Sequence, residues 1–339
     1  MIKSEDELED ALSRPTAADI AAAGELSGDL LILGVGGKMG PSFARLARRA
    51  LDGAGSRHRV IGVARFSDPH VQAGLRRDGI ETIACDLLEP MALSKLPDAS
   101  NVVFMAAKKF GTTGAESSTW AMNTFLPGLV AEKYRAAQIV AFSSGNVYPL
   151  VPISSGGATE DTPVAPIGEY AQSVLGRERM FEYGSAQWGT KVALLRLNYA
   201  VELRYGVLVD IGWSVYKSSP IDLAMGMVNV IWQRDANSVC LRSFFHCQAP
   251  PLRLNVTGPE LLSVRYIAEQ FGQKFGTEPV FKGEEATTAL LNNSARSVEL
   301  FGYPAVGPLE LVDWIADWIR NGGRALNKAT GFQMREGKF

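Results

Sequence analysis

Residues 29–40 read Asp29-Leu30-Leu31-Ile32-Leu33-Gly34-Val35-Gly36-Gly37-Lys38-Met39-Gly40, a compact apolar run followed by a glycine-rich loop. A short apolar run that ends in glycines is typical of a strand buried in the middle of a sheet. Beyond the loop, apolar residues recur at helical spacing, at Phe43, Leu46, Ala47 and Ala50. The stretch therefore predicts a strand, a tight loop and a helix in succession.

The glycines of this loop follow the spacing G-x-x-G-x-x-G. They do not follow G-x-G-x-x-G, because Met39 stands where that pattern needs its last glycine. A loop between a strand and a helix is where the pyrophosphate of a dinucleotide meets the helix amides, and glycine lets the backbone approach it closely. The alternative is merely a tight turn. We expect a dinucleotide to be bound by Gly34, Gly37, Lys38, Met39 and Gly40.

The alternation of strands and helices continues to about residue 200. Such repeats predict an α/β fold, a Rossmann-type doubly wound parallel sheet with a smaller C-terminal substrate domain. The further strands are predicted at 60–64, 80–84, 101–105, 138–142 and 191–195. The expected parts are a helical arm (1–28), the Rossmann domain (29–200, with a later strand near 252–256), a mainly substrate-binding domain (201–325) and a loose tail (326–339).

Composition and charge exclude several classes of function. The chain has 46% hydrophobic and 21% charged residues, as an ordinary globular protein has, and its formal net charge of -2 gives no field that attracts nucleic acid or an anionic bilayer. The amino terminus lacks the basic start and apolar core of a signal peptide, so we expect a cytoplasmic protein. The three cysteines and three histidines show no metal-ligand spacing, and we expect no metal.

Several separate stretches between Asp29 and about Ile319 resemble the extended short-chain dehydrogenase/reductase superfamily, the NAD-dependent epimerase/dehydratase family in particular. They include Cys85-Asp86-Leu87, Met105-Ala106-Ala107, Phe142-Ser143-Ser144-Gly145-Asn146-Val147-Tyr148, Glu160-Asp161-Thr162-Pro163 and Asn255-Val256-Thr257-Gly258. The number and order of these stretches make coincidence implausible. The resemblance implies an NAD(P)-dependent oxidoreductase or epimerase.

The resemblance also implies roles for individual residues. Ser144 would hold the substrate carbonyl or hydroxyl, and Tyr170 would be the general acid/base. The other residues that it assigns to the cofactor are Asp86, Leu87, Ala106, Ala107 and Asn123. Those that we assign to the substrate are Ser143, Asn146, Asn198 and Arg204.

One departure from the family concerns the catalytic tyrosine. The family reads Y-x-x-x-K, but here Val174 stands where the lysine should follow Tyr170. A cation about 4 Å from a tyrosine is worth roughly 4 kcal/mol at an effective dielectric of 20, enough to lower the tyrosine pKa substantially. Either another cation has taken over, with Lys108 and Lys109 favoured over Arg177, or the usual proton transfer is lost.

The end of the second predicted strand bears on the choice of cofactor. An acidic residue there would accept the ribose hydroxyls of NAD, but the chain has Ala64 and Arg65. Because arginine pairs a phosphate bidentately, NADP is favoured and NAD remains possible. Alternatively, Arg65 stacks on adenine or faces solvent.

The substrate is expected to carry no nucleotide. In nucleotide-sugar members of the family, a segment similar to Gly226–Asp235 holds an arginine for the diphosphate, but Val228 occupies its position. We therefore expect a free sugar, sugar acid or comparable polyol. The alternatives are a catalytically impaired regulatory or scaffold protein and a nucleotide-sugar epimerase or dehydratase. We also expect a homodimer, because the family usually pairs the helix that holds Asn123 and the helix that holds Tyr170 with their symmetry mates. The apolar Val174, Leu175 and Phe181 suit such packing.

Overall fold

The computed structural model describes residues 2–328 and 330–337, and this part of the chain is built around a seven-stranded parallel sheet. The strand order is β7-β6-β5-β4-β1-β2-β3, which is the order of a doubly wound dinucleotide-binding fold. The predicted fold class is therefore confirmed. The strands are β1 (Leu30–Leu33), β2 (Val60–Ala64), β3 (Glu81–Ala84), β4 (Asn101–Phe104), β5 (Gln138–Ser144), β6 (Val192–Leu197) and β7 (Leu252–Val256).

Helices cover both faces of this sheet, as the alternating residues of β1 show. Leu30 and Ile32 pack in the same apolar cluster as Phe43, whereas Leu31 and Leu33 pack with Phe181 on the other side. The helices are α1 (Glu5–Ser13), α2 (Ala17–Gly24), α3 (Gly40–Gly53), α4 (Pro69–Arg77), α5 (Pro90–Ser94), α6 (Glu116–Trp120), α7 (Leu126–Lys133), α8 (Gly168–Trp188), α9 (Val207–Tyr216), α10 (Gln233–Arg242), α11 (Val264–Phe275), α12 (Ala295–Phe301) and α13 (Pro308–Arg320).

Two glycines of the loop between β1 and α3 are required by close backbone contact. Gly34 has φ +97°, and a Cβ added there would lie 2.5 Å from the backbone nitrogen of Ala106. A Cβ on Gly40 would lie 2.2 Å from the carbonyl oxygen of Val35. Both distances are far shorter than a carbon can tolerate, so the tight turn that opens α3 depends on these two residues.

The amino-terminal helices are bound to the body of the molecule. Leu8 and Leu12 of α1 are completely buried. Asp19 of α2 is also buried, and it accepts hydrogen bonds from Arg234 and Ser238 of α10. The helices of this arm therefore belong to the folded core.

The carboxyl-terminal half packs α9, α11 and α13 together around buried apolar side chains such as Phe271 and Ile315. Short two-residue strands connect it to the rest, pairing 200–201 with 231–232 and 151–152 with 288–289. Two further pairs, 221–222 with 281–282 and 227–228 with 262–263, lie within this half. None of the described helices is long and apolar enough to span a membrane.

The segment after α13 differs from the expected loose tail. Thr330 and Phe332 are buried, and the Thr330 amide donates to Asp210 of α9. This packing could not be predicted, because the segment has neither helical nor strand periodicity. Position 329 and positions 338–339 of the predicted tail lie outside the described residues.

Candidate active site

A groove of about 260 Å³ lies along the carboxyl ends of β1, β2 and β4, where the glycine-rich loop turns into α3. Its position is the one that the fold provides for a dinucleotide. The groove also includes Phe66, Ser67 and Asp68, which the sequence did not single out. The predicted cofactor residues that line it are Gly34, Gly37, Ala64, Arg65, Asp86, Leu87, Ala106 and Ala107.

Four predicted cofactor residues lie outside the lining of this groove. Lys38, Met39 and Gly40 form the turn into α3, and Asn123 lies in a π-helical turn, Ala121–Phe125, between α6 and α7. The Asn123 side chain accepts from the Lys108 amide and donates to the Lys108 carbonyl, both at 2.9 Å. Asn123 therefore fixes the chain just after β4.

Tyr170 and Ser144, the two residues to which the resemblance gives catalytic roles, meet at the carboxyl end of β5. Their side chains are hydrogen-bonded to each other, and the Ser144 hydroxyl also donates to Asn146 Oδ1 at 2.9 Å. Tyr170 is 8% exposed. Burial raises the pKa of Tyr170, while the charge of Arg177 and the hydrogen bond with Ser144 oppose that rise.

Arg177, the candidate that the sequence favoured least, lies in the interior, close enough for its charge to act on Tyr170. Its side chain is 3% exposed, and its guanidinium donates to the carbonyl oxygen of Phe142 at 2.6 Å and to Asn123 Oδ1 at 3.0 Å. Burial lowers the pKa of Arg177 to about 10, which still leaves it charged at neutral pH. The sequence places Arg177 two helical turns beyond Tyr170 but does not show that the π-helical turn with Asn123 and strand β5 cover that face of α8.

The side chains of Lys108 and Lys109 point in different directions. Lys108 Nζ donates to Ser118 on the surface of α6, whereas Lys109 Nζ lies 5.7 Å from the centre of the Tyr170 ring. Burial lowers the pKa of Lys109 to about 8. Of the two candidates, only Lys109 therefore reaches the tyrosine.

Lys38 is a third basic side chain at the same end of the site, after Arg177 and Lys109. Its Nζ lies over the Tyr205 ring and 4.9 Å from the centre of the Phe110 ring, which Lys109 also approaches to 5.7 Å. Burial, together with repulsion from Lys109 and Lys328, lowers the pKa of Lys38 to about 7. The sequence identified Lys38 only as part of the loop, because spacing does not reveal the direction of a side chain.

The four predicted substrate residues do not lie together around one site. Ser143 donates to the buried carboxylate of Glu178, Asn198 donates to Asn229, and Arg204 is paired with Glu5, Glu9 and Glu202. The side chains of Ser143 and Arg204 are thus bound to carboxylates within the protein. Asn146 remains beside Ser144 and faces a small chamber.

This chamber contains only about 20 Å³ of space. Its walls come from the body of the protein on one side and from the segment after α13 on the other. The body contributes Lys109, Asn146, Tyr148, Leu150, Ile167, Tyr199 and Leu290, and the segment contributes Thr330, Gly331, Met334, Arg335 and Gly337.

The doubly wound sheet, the glycine loop and the open groove define a Rossmann-type dinucleotide-binding protein. The sequence profile of the NAD dependent epimerase/dehydratase family matches residues 30–201, half of the chain, and the chain belongs to this family. No curated protein gives a significant match to the sequence.

Solved structures show the same fold at low sequence identity. The UDP-glucose 4-epimerase of Thermotoga maritima is 16% identical, with a TM-score of 0.70 over 87% of this chain and 99% of its own. The dTDP-glucose 4,6-dehydratase of Bacillus anthracis is 15% identical, with a TM-score of 0.70 over 87% and 97%. The UDP-glucuronic acid 4-epimerase of Bacillus cereus, solved with NAD, is 15% identical, with a TM-score of 0.70 over 86% and 98%.

We predict that Arg177→Met lowers the free energy of unfolding by about 2–4 kcal/mol, because it leaves buried oxygens of Phe142 and Asn123 without their charged donor. Urea denaturation measures the change. The control is Arg179→Met on the exposed face of the same helix, which should change stability by less than about 0.5 kcal/mol. Equal changes in the free energy of unfolding would show that the buried guanidinium contributes no more to stability than an exposed one.

Proposed function

We propose that the protein is an NAD(P)-dependent oxidoreductase or epimerase that acts on a free sugar, sugar acid or similar polyol. The observation that carries this proposal is the convergence of two cations, Lys109 and Arg177, on Tyr170 where the family's lysine is missing. Together with Ser144, they supply a proton-transfer group and its electrostatic support. The family and the dinucleotide groove support the cofactor.

A nicotinamide cofactor would supply the hydride acceptor, and the groove along β1, β2 and β4 fits its adenosine half. In this proposal, Ser144 holds the substrate hydroxyl by a hydrogen bond while Tyr170 accepts the proton of that hydroxyl. Lys109 and Arg177 stabilise the tyrosinate that accepts this proton, as the lysine of the family would. Neither cation needs to transfer a proton itself.

The substrate is proposed to be small and negatively charged. Val228 is fully buried in the apolar core, so nothing at that position could pair with a nucleotide diphosphate. Lys38 and Lys109 stand together beside Phe110 and favour an anion between them. Of a free sugar, a sugar acid and a neutral polyol, the sugar acid fits this charge best.

The experiment that tests this function follows nicotinamide absorbance with NADP or NAD, a panel of free aldoses and uronates, and UDP-glucose. We expect turnover of a free uronate and none of UDP-glucose. Tyr170→Phe should abolish turnover at every pH. Turnover by wild type should decline above pH 8, because the Lys109 ammonium, with its pKa of about 8, loses its charge there.

The matched pair Lys109→Met and Lys108→Met separates the electrostatic effect from a general loss of surface charge. Lys109→Met should slow turnover roughly 30-fold to 1000-fold, the rate equivalent of about 2–4 kcal/mol of transition-state stabilisation. Lys108→Met should stay within about twofold of wild type, because its ammonium faces Ser118. If wild type binds the cofactor tightly but turns over nothing in the panel, the regulatory or scaffold alternative, which Val174 favours, replaces this proposal.

NADP is proposed as the preferred cofactor because Arg65 is exposed at the rim of the groove, where β2 ends. We expect NADPH to bind more tightly than NADH. Arg65→Ala should weaken NADPH about tenfold and leave NADH nearly unchanged, since a charged hydrogen bond to phosphate contributes about 1.5 kcal/mol or more. Fluorescence titration measures both, with Arg77→Ala on exposed α4 as the control. Tighter binding of NADH by wild type would contradict the assignment.

A homodimer through α7 and α8 is also proposed, but with different contacts from those expected. Val174 and Phe181 are fully buried within the subunit and cannot reach a partner. Phe125, at the end of the π-helical turn that precedes α7, and Tyr183 of α8 are 56% and 60% exposed and could pack against a second copy.

Sedimentation velocity at micromolar concentration tests the dimer. Tyr183→Asp should shift the protein toward the monomer, because it introduces a charge into the proposed apolar contact. Tyr266→Asp on α11, where the tyrosine is 46% exposed, is the matched control and should leave the sedimentation coefficient unchanged. A monomeric wild type would refute the dimer.

A further inference from the structure

The segment after α13 crosses the catalytic end of the molecule and is named here the strap, residues 324–328 and 330–337. Its first half is held at two points. The Leu326 amide donates to the carbonyl oxygen of Arg204 at 3.0 Å. Further along, the amide and hydroxyl of Thr330 both donate to one carboxylate oxygen of Asp210, at 2.7 and 2.6 Å.

The second half of the strap is anchored by one apolar and several polar contacts. Phe332 is buried in the apolar core of the carboxyl-terminal half. The Arg335 guanidinium donates to the carbonyl oxygens of Thr288 at 2.7 Å and Ala224 at 2.9 Å. These anchors are local, so this segment can detach without unfolding the sheet.

The end of the strap lies directly on the start of α8, the helix that contains Tyr170. A Cβ on Gly337 would lie 2.0 Å from the carbonyl oxygen of Ile167, and a Cβ on Gly168 would lie 2.4 Å from the carbonyl oxygen of Gly337. Only glycine at both positions permits this contact. The strap therefore closes the chamber beside Ser144 and Asn146.

The closed chamber is too small for any substrate of the proposed class. Its space of about 20 Å³ is room for roughly one water molecule. A six-carbon sugar acid is many times larger. The cofactor groove at the other end, by contrast, offers about 260 Å³ with no strap residue in its lining. Closure is thus confined to the substrate end.

We propose that the strap is a gate, and that the substrate enters the chamber only when residues 330–337 move off the start of α8. This proposal rests on the proposed function, because it takes the chamber as the substrate's site. The apparent affinity for substrate is then the intrinsic affinity multiplied by the fraction of molecules with an open strap. Contacts of the strap become determinants of KM although they lie outside the reacting groups.

The variant Gly337→Val tests the gate by preventing the close contact with Ile167. Gly322→Val is the matched control, because Gly322 has φ +71° against +67° for Gly337 but nothing within 4 Å of an added Cβ. Both substitutions strain the backbone alike, and only one pushes the strap away. Hydrogen exchange of residues 330–337 should become at least about tenfold faster in Gly337→Val alone.

Access to the chamber is measured by acetic anhydride labelling of Lys109, with exposed Lys191 as the internal reference. Labelling of Lys109 should be about five to ten times faster in Gly337→Val than in wild type. The KM for the uronate that wild type turns over should fall by a similar factor. Gly322→Val should match wild type in both measurements.

The outcomes separate the gate from the proposed function. If exchange accelerates but Lys109 labelling and KM do not change, the strap moves without controlling access and the gate is overturned. If no sugar is turned over, the proposed function fails, and faster labelling of Lys109 still supports a gated chamber. If Gly337→Val leaves hydrogen exchange of the strap unchanged, the same measurement compares Arg335→Met with Arg320→Met as its control. If exchange of the strap is again unchanged, the strap is a fixed wall of the chamber, which also overturns the gate.

Discussion

The end of the sheet where Tyr170 and Ser144 meet depends on one buried guanidinium. Arg177 joins the π-helical turn that holds Asn123, the end of β5 at Phe142 and the helix that carries Tyr170. These three segments are far apart in the chain, and each contributes a residue or a backbone position to the site. Because the charge is fully enclosed, its hydrogen bonds must all be present, and the segments cannot shift independently.

The same enclosure governs the electrostatics of the site. Burial disfavours both the tyrosinate of Tyr170 and the ammonium of Lys109, so the two charged forms can stabilise each other when the tyrosine ionises. Val174 contributes to this burial, because it lies with Tyr170 in the same apolar cluster and keeps water from that part of α8. The cations approach from β4 and from further along α8 instead of from the position four residues after the tyrosine.

The glycine loop and the alternation of apolar runs were sufficient to predict the sheet, because both are local consequences of backbone sterics and burial. Tyr170 and Ser144 were chosen as candidate residues from the resemblance, and their roles stay predictions. The interior position of Arg177 was not, since helical spacing says which residues share a face but not which elements cover it. Ser143 and Arg204 were assigned to the substrate for their polarity, and their carboxylate partners lie 35 and up to 199 residues away in the chain.

The contacts of Arg204 determine how the first helix unfolds. Its side chain pairs with Glu5 and Glu9 of the first helix, and its carbonyl oxygen accepts from Leu326 near the end of the chain. The earliest and latest parts of the sequence thus share one attachment point on the body of the molecule. Heating should therefore release the first helix together with the body in a single cooperative melting transition, with no separate early step for the arm.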